Sequence, residues 1–238
     1  MAGRSRAETR ATQRAERLAE LKKQARARER RRNLMVGGVA AAVLVLVGVV
    51  FYVVSQGNNV DATAAGQSDY GVTIGPDSAP HKVVVYEDFL CPFCGRLEAA
   101  THKQLATLAD DGKVQVDYRP FTLLTRSDYS ARATSAFGVV LDTSGPTVAK
   151  KFHDLLYADQ PSETATTFPD AQWLIDKAVE AGADQGAVKA GIEAGENDFA
   201  REATQDAQVA GVTGTPTVLV DGKVLANADG QTLLDAVQ

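Results

Sequence analysis

Residues 34–54, LMVGGVAAAVLVLVGVVFYVV, contain no charged residue and no proline. A helix of that length rises about 30 Å, the thickness of a bilayer's hydrocarbon core. A span of this kind divides a chain into parts that fold in different surroundings, and the charge distribution follows the division. Residues 1–33 carry twelve Lys or Arg against four Glu, a net +8, which leaves −13 on the rest of a 238-residue chain whose total is −5. Arg26, Arg28, Arg30, Arg31 and Arg32 crowd the N-terminal side of the apolar run, whereas 55–71 has no Lys or Arg. The positive-inside bias therefore predicts a cytoplasmic N-terminus, with everything after Val54 outside. Ala62-Thr63-Ala64 resembles a signal-peptidase site, but it lies about eight residues beyond an apolar run already long for a signal peptide. Arg31-Arg32 continues as Asn33-Leu34-Met35, a poor match to a twin-arginine signal. An uncleaved single-pass anchor is expected.

Residues 1–33 read as a solvated basic tail with only Leu18 and Leu21 as large hydrophobes. Such a cluster can also meet anionic headgroups, at about 1 kcal/mol per basic residue. No aromatic or fold motif accompanies the charge, so no nucleic-acid partner is implied. Residues 55–70, with Gly57, Asn58, Asn59 and Gly66, read as a flexible linker.

From residue 71 onward the pattern is globular. Val83, Val84, Val85 and Tyr86 form a short apolar run of strand type. Glu87, Asp88, Phe89 and Leu90 follow at once, then Cys91-Pro92-Phe93-Cys94. A helix is expected from there to about Asp110, with Leu97, Leu105 and Leu108 on one side and Gly112 ending it. Residues 114–118 alternate as a second strand. The stretch from Phe121 to about Asn197 is mostly helical, with pieces at 130–141, 148–157, 170–181 and 185–193. Trp173 and Tyr157 are expected to pack this block. Another helix follows at 199–210. Strands at 217–220 and 223–225 flank Asp221-Gly222, a hairpin signal, and 231–237 closes the chain as a short helix. The order β, α, β, helical block, α, β-hairpin, α predicts an α/β domain over 71–238 with a helical insertion at about 121–197.

The chain has two cysteines, in Cys-x-x-Cys spacing. Outside the cytoplasm disulfides form and persist. A purely structural bridge across so short a loop gains little chain-entropy stabilisation. Half of a zinc site would need two more ligands, and His81, His102 and His153 stand at no ligand-like spacing; no metal or cofactor is implied, and no role falls to the histidines. A catalytic dithiol fits best. At the N-terminus of the helix, free N–H groups and the macrodipole would stabilise a Cys91 thiolate. That thiolate would attack a partner's sulfur, and Cys94, about one turn later and more buried, would resolve the mixed disulfide. Gly214-Thr215-Pro216-Thr217 leads into the late strand, and Pro216 is a candidate for a cis peptide bond or an ordinary turn proline.

The stretch VVVYEDFLCPFC, the distant GVTGTPTVLVDGK and the helical block between them resemble the DsbA-like thioredoxin-fold family over about 71–238. The resemblance implies a thioredoxin-like fold with an inserted helical subdomain, which follows the one transmembrane helix read from residues 34–54. It implies a Thr215–Pro216 loop facing Cys91 that shapes the redox site and pairs with substrate backbone. Pro92 and Phe93 would tune the reduction potential and the contact surface. Related oxidoreductases often bury an acid six residues before the first cysteine; here that position is Val85. Glu87 is the candidate to replace it in proton transfer, and a polar strand end is the competing reading of Glu87 and Asp88. The implied function is extracytoplasmic oxidation of cysteines in exported proteins, by a monomer that a quinone-linked membrane partner reoxidises. A reductase or isomerase on the same fold, or a binding or chaperone module, are the alternatives.

Overall fold

The computed structural model describes Val60 and residues 68–238. The basic tail, the apolar run at 34–54 and most of 55–70 lie outside the described residues. Among the described residues no helix is long and apolar enough to cross a membrane.

The valine run becomes the middle of β2 (His81–Glu87), which pairs parallel with β3 (Val114–Pro120) and antiparallel with β4 (Thr217–Val220). Two short antiparallel edge strands complete the sheet, β1 (Val72–Ile74) on β3 and β5 (Lys223–Val224) on β4, for an order β1-β3-β2-β4-β5. Asp221 and Gly222 turn β4 into β5 with φ of 50° and 75°, the paired positive values that a tight hairpin needs. Strand β1 leaves no trace in the sequence. Three residues are too few to show a period of two, and the strand exists because Val72, Thr73 and Ile74 pair with Tyr118, Asp117 and Val116.

Parallel pairing of β2 and β3 requires a crossover, and α1 (Pro92–Asp110) supplies it. Side chains of a strand alternate between faces. Val83 and Val85 accordingly join Leu97 and Leu105 of α1 and Leu233 of α7 (Gly230–Ala236) on one side of the sheet. Val84 and Tyr86 join Ala203 and Ala207 of α6 (Asp198–Val209) on the other. The sheet is thus covered on both faces.

Between β3 and α6 stand α2 (Tyr129–Ser144), α3 (Pro146–Ala158), α4 (Ala171–Ala181) and α5 (Gln185–Glu193). Gly145 at φ 80° and Pro146 separate α2 from α3. Asp170, Asp184 and Asn197 cap the next three helices by accepting from the N–H groups of Trp173, Ala187 and Ala200. Phe137, Phe152, Leu156, Leu174 and Val188 bury the helices against one another and against the sheet's first face. Trp173 is partly buried beside Tyr129, while Tyr157 turns toward the cysteine loop, its ring 5.3 Å from that of Phe89. Ser68 and Tyr70, at the end of 55–70, reach α6, where Tyr70 packs edge-on against Phe199 at 5.7 Å.

Helices α2 and α6 approach closely at Gly138, where a Cβ would lie 2.3 Å from Cγ and 2.8 Å from Cβ of Phe199. These are the base of the ring, not a flexible end. Gly138→Ala should therefore lower stability by about 1–3 kcal/mol despite alanine's better helix propensity, seen as a lower urea midpoint at unchanged slope.

Candidate active site

The cysteine pair stands where β2 hands over to α1. Cys91 is the N-cap residue (φ −72°, ψ 118°) and Pro92 the first helical residue, a place where proline's fixed φ suits and its missing N–H costs nothing. Asp88 fixes this turn. Its side chain accepts from the N–H of Leu90 at 2.7 Å and from those of Leu123 and Leu124 at 2.7 and 2.8 Å, while its carbonyl accepts from Cys91 N–H at 2.9 Å. Asp88 and Glu87 are both wholly buried; Glu87 is the last residue of β2 and Asp88 the first beyond it.

Both thiols are free and buried, Cys91 at 4% and Cys94 at 0% exposure. The Cys91 thiol donates to the Thr215 carbonyl at 3.4 Å, and the Thr215–Pro216 bond is cis. The structure therefore brings Cys91, Pro92, Phe93 and Cys94 together with Thr215 and Pro216. The Cys91 thiol is lowered from about 9 to about 6. The hydrogen bond from Cys94 contributes most; burial opposes it, and the Thr215 side chain and the free N–H groups of Cys94 and Phe93 add to it. No acidic residue in the first turn of α1 competes with a thiolate there. Burial pushes Cys94 well above the ordinary thiol value, helped by its bond to Cys91 and by the charges of Cys91 and Glu87. One acidic and one reluctant thiol are what sequential exchange at two sulfurs requires. Phe93 is 62% exposed beside them, with the Arg96 guanidinium 4.2 Å above its ring.

Behind Cys94 lies a cluster of buried charge. Val85, six residues before Cys91, is fully buried in the hydrophobic core. Glu87 is two residues further along the same strand and hence on the same face, 2.5 Å from Nε2 of His153 on α3. The other ring nitrogen of His153 meets Asp154 at 3.1 Å, and Asp154 also pairs with Lys150. Burial alone would lower the His153 pKa, but Glu87's charge and the two carboxylate bonds raise it to about 9. Glu98, one turn below Cys94, is 3% exposed with neither oxygen bonded; burial, with Glu87 nearby, raises it to about 8. Glu98, His153 and Asp154 offer one ligand atom each within 4.8 Å of one another. They fit a metal poorly, because both His153 nitrogens are engaged and Lys150 and His153 already supply positive charge.

The sequence did carry signals for this cluster. Glu98 lies on the stripe of Cys94, Leu97, Thr101 and Leu105, and His153 on that of Ala149, Phe152 and Leu156, so helical spacing alone places both inside. The bonds of Asp88 to Leu123 and Leu124 had no such signal.

A five-stranded mixed sheet covered on both faces, with Cys-x-x-Cys at the start of its crossover helix and a cis-proline loop against the first sulfur, defines a thioredoxin-fold dithiol protein. The thioredoxin family model matches residues 67–238, and the chain belongs to that family. Probable disulfide bond formation protein D of Bacillus anthracis is 28% identical over 222 residues, covering 86% of this chain and 95% of that one. Among solved structures, oxidised DsbA of Mycobacterium tuberculosis is 31% identical with a TM-score of 0.61, covering 70% of this chain and 90% of that one. The reduced disulfide bond oxidoreductase DsbG of the same organism is 28% identical with a TM-score of 0.64, covering 74% and 89%. The chain is a DsbA-like thiol–disulfide oxidoreductase.

Two outcomes follow from the buried charges. His153→Leu leaves Glu87 without its cation and should cost about 3–5 kcal/mol in urea unfolding. Glu98 and His153 both hold their protons more tightly folded than unfolded. The stability they confer is full below the ordinary values and lost as pH rises through the folded ones. In the disulfide form, where neither cysteine titrates, the urea midpoint should fall as the pH is raised from about 6.5 to about 9.

Proposed function

We propose that this chain is an oxidant of exported proteins, held by residues 34–54 to the outer face of a cytoplasmic membrane with its basic N-terminus inside. Residues 71–238 form the catalytic domain, and 55–70 hold it off the bilayer. The observation that carries the oxidising direction is the acidic Cys91 thiol at the start of α1. A substrate thiolate attacks Sγ of Cys91, the Cys91–Cys94 bond breaks, and Cys94 departs and takes up a proton. A second substrate thiolate then attacks the substrate sulfur of the mixed disulfide and expels Cys91 as a thiolate. Two electrons pass from substrate to protein, and a quinone-linked membrane partner removes them.

In the second step Cys91 is the better leaving group because its thiolate is stabilised in place; in the first, attack falls on Cys91 because its sulfur lies nearer the surface than that of the wholly buried Cys94. A shift from about 9 to about 6 favours the reduced protein at pH 7 by about 1.4 kcal/mol, or about 30 mV of added oxidising power. The contribution grows as pH rises from about 6 toward 9 and is lost as pH falls through about 6. Pro92, Phe93, Thr215 and Pro216 shape the surface that meets the substrate. The unbonded oxygen of Glu87 exchanges the Cys94 proton, in place of the acid missing at Val85.

The test is the reduction potential of the full chain in membranes, equilibrated in glutathione buffers and read by thiol alkylation. A value near −120 mV is expected, and one near −270 mV would make the protein a reductase instead. Cys91→Ser should abolish substrate oxidation, whereas an unaltered phenotype would favour a binding module. A membrane-impermeant maleimide should label reduced Cys91 in intact cells, and protection until lysis would reverse the topology.

A further inference from the structure

Gln160 stands just past the end of α3, ahead of Pro161 and 69 residues from Cys91 in sequence. Its side-chain amide turns back over the cysteine turn. Nε2 donates to the carbonyl of Phe89 at 3.1 Å and to that of Cys91 at 2.9 Å, so both hydrogens of one NH₂ group are used. The Cys91 carbonyl also accepts the Gly95 N–H at 3.2 Å, within the first turn of α1. A second observation concerns Gly95 itself. A Cβ at this position would fall 2.2 Å from Oε1 and 3.0 Å from Cδ of Gln160. The amide thus lies directly on the Gly95 backbone, and only glycine leaves it room.

We propose that Gln160 is a positioning residue for Cys91, clamping the Phe89 and Cys91 carbonyls so that the first turn of α1 keeps its N–H groups aimed at the sulfur. Gln160 touches neither sulfur and acts through the turn. Its physical effect is electrostatic as well as geometric. The two carbonyl oxygens are the negative ends of peptide dipoles in the turn that carries Cys91, and a donor seated on them offsets partial charge that would oppose a thiolate. The clamp also makes the helical insertion part of the cysteine's surroundings, because the residue that sets the turn belongs to the segment after α3. The assignment rests on the dithiol exchange reading above, and its test reads a titration, not turnover.

In the reduced full chain, the rate of Cys91 alkylation by iodoacetamide is followed from about pH 4 to about pH 9 in the parent and four variants. Gln160→Ala should lower the acid dissociation constant of Cys91 about fivefold, the worth of one ordinary hydrogen bond. Gln160→Glu should lower it further, since a carboxylate cannot donate and brings negative charge. Gly95→Ala should reproduce the effect of Gln160→Ala by displacing the amide, yet add nothing in the Gln160→Ala background, because both remove the same contact. An unchanged titration in Gln160→Ala and Gln160→Glu, whatever happens to thermal stability, would reduce Gln160 to a strap for the insertion. Additive effects of Gly95→Ala and Gln160→Ala would likewise overturn the clamp. A Cys91 that titrates as expected in every variant while the parent chain oxidises no substrate would instead count against the proposed function.

Discussion

The geometry at the cysteine end of the molecule depends on how β2 becomes α1 within four residues, and the Asp88 carboxylate governs that turn. A carboxylate taken out of water is costly unless its oxygens are fully bonded. Here they hold three backbone N–H groups, one inside the turn and two from the segment that leaves β3. Such charge-assisted bonds are short and directional. They join the loop carrying Cys91 to Leu123 and Leu124 at the neighbouring strand's end, so neither can shift without the other. The helix then begins at the residue whose sulfur needs free N–H groups.

The inserted helices are the back wall of this site rather than an appended block. Helix α3 contributes His153 to Glu87, Lys150 to Asp154 and, 4.3 Å above the ring of Tyr118, the same Lys150 ammonium. Tyr157 and Phe89 close the space between that ionic layer and the cysteine loop. Buried ion pairs seldom add much net stability over well-packed apolar residues, but they penalise misplacement heavily. A layer of this kind fixes how α3 meets the sheet, and with it where the chain beyond α3 runs across the cysteine turn.

Local order was legible in the residues to the extent that it arises locally. The Val83–Val84–Val85 run, the breaks at Gly145-Pro146 and Gly182, the caps Asp170, Asp184 and Asn197 and the Asp221-Gly222 turn each act over a few residues, and the elements they bound lie close to where patterning puts them. The spacing of Cys91 and Cys94 announced the chemistry, and the resemblance of GVTGTPTVLVDGK indicated what would face it. Strand β1 stayed hidden because only its partner makes it a strand. Glu87 does end β2 and His153 is a packed residue, but the sequence did not show that the two pair. Each was weighed alone, and 66 residues separate the two partners of this buried contact.

Placing five helices between β3 and β4 also sets an order in time. The sulfur of Cys91 and the Thr215 carbonyl it meets are 124 residues apart along the chain. A ribosome therefore releases both thiols well before the residues that will enclose them. Until β4 docks beside β2, the growing chain carries an unscreened vicinal dithiol with nothing opposite Cys91. Maturation of the redox centre is thereby coupled to synthesis of the segment that carries Thr215 and β4, and the distinct characters of its two sulfurs are late properties of the domain.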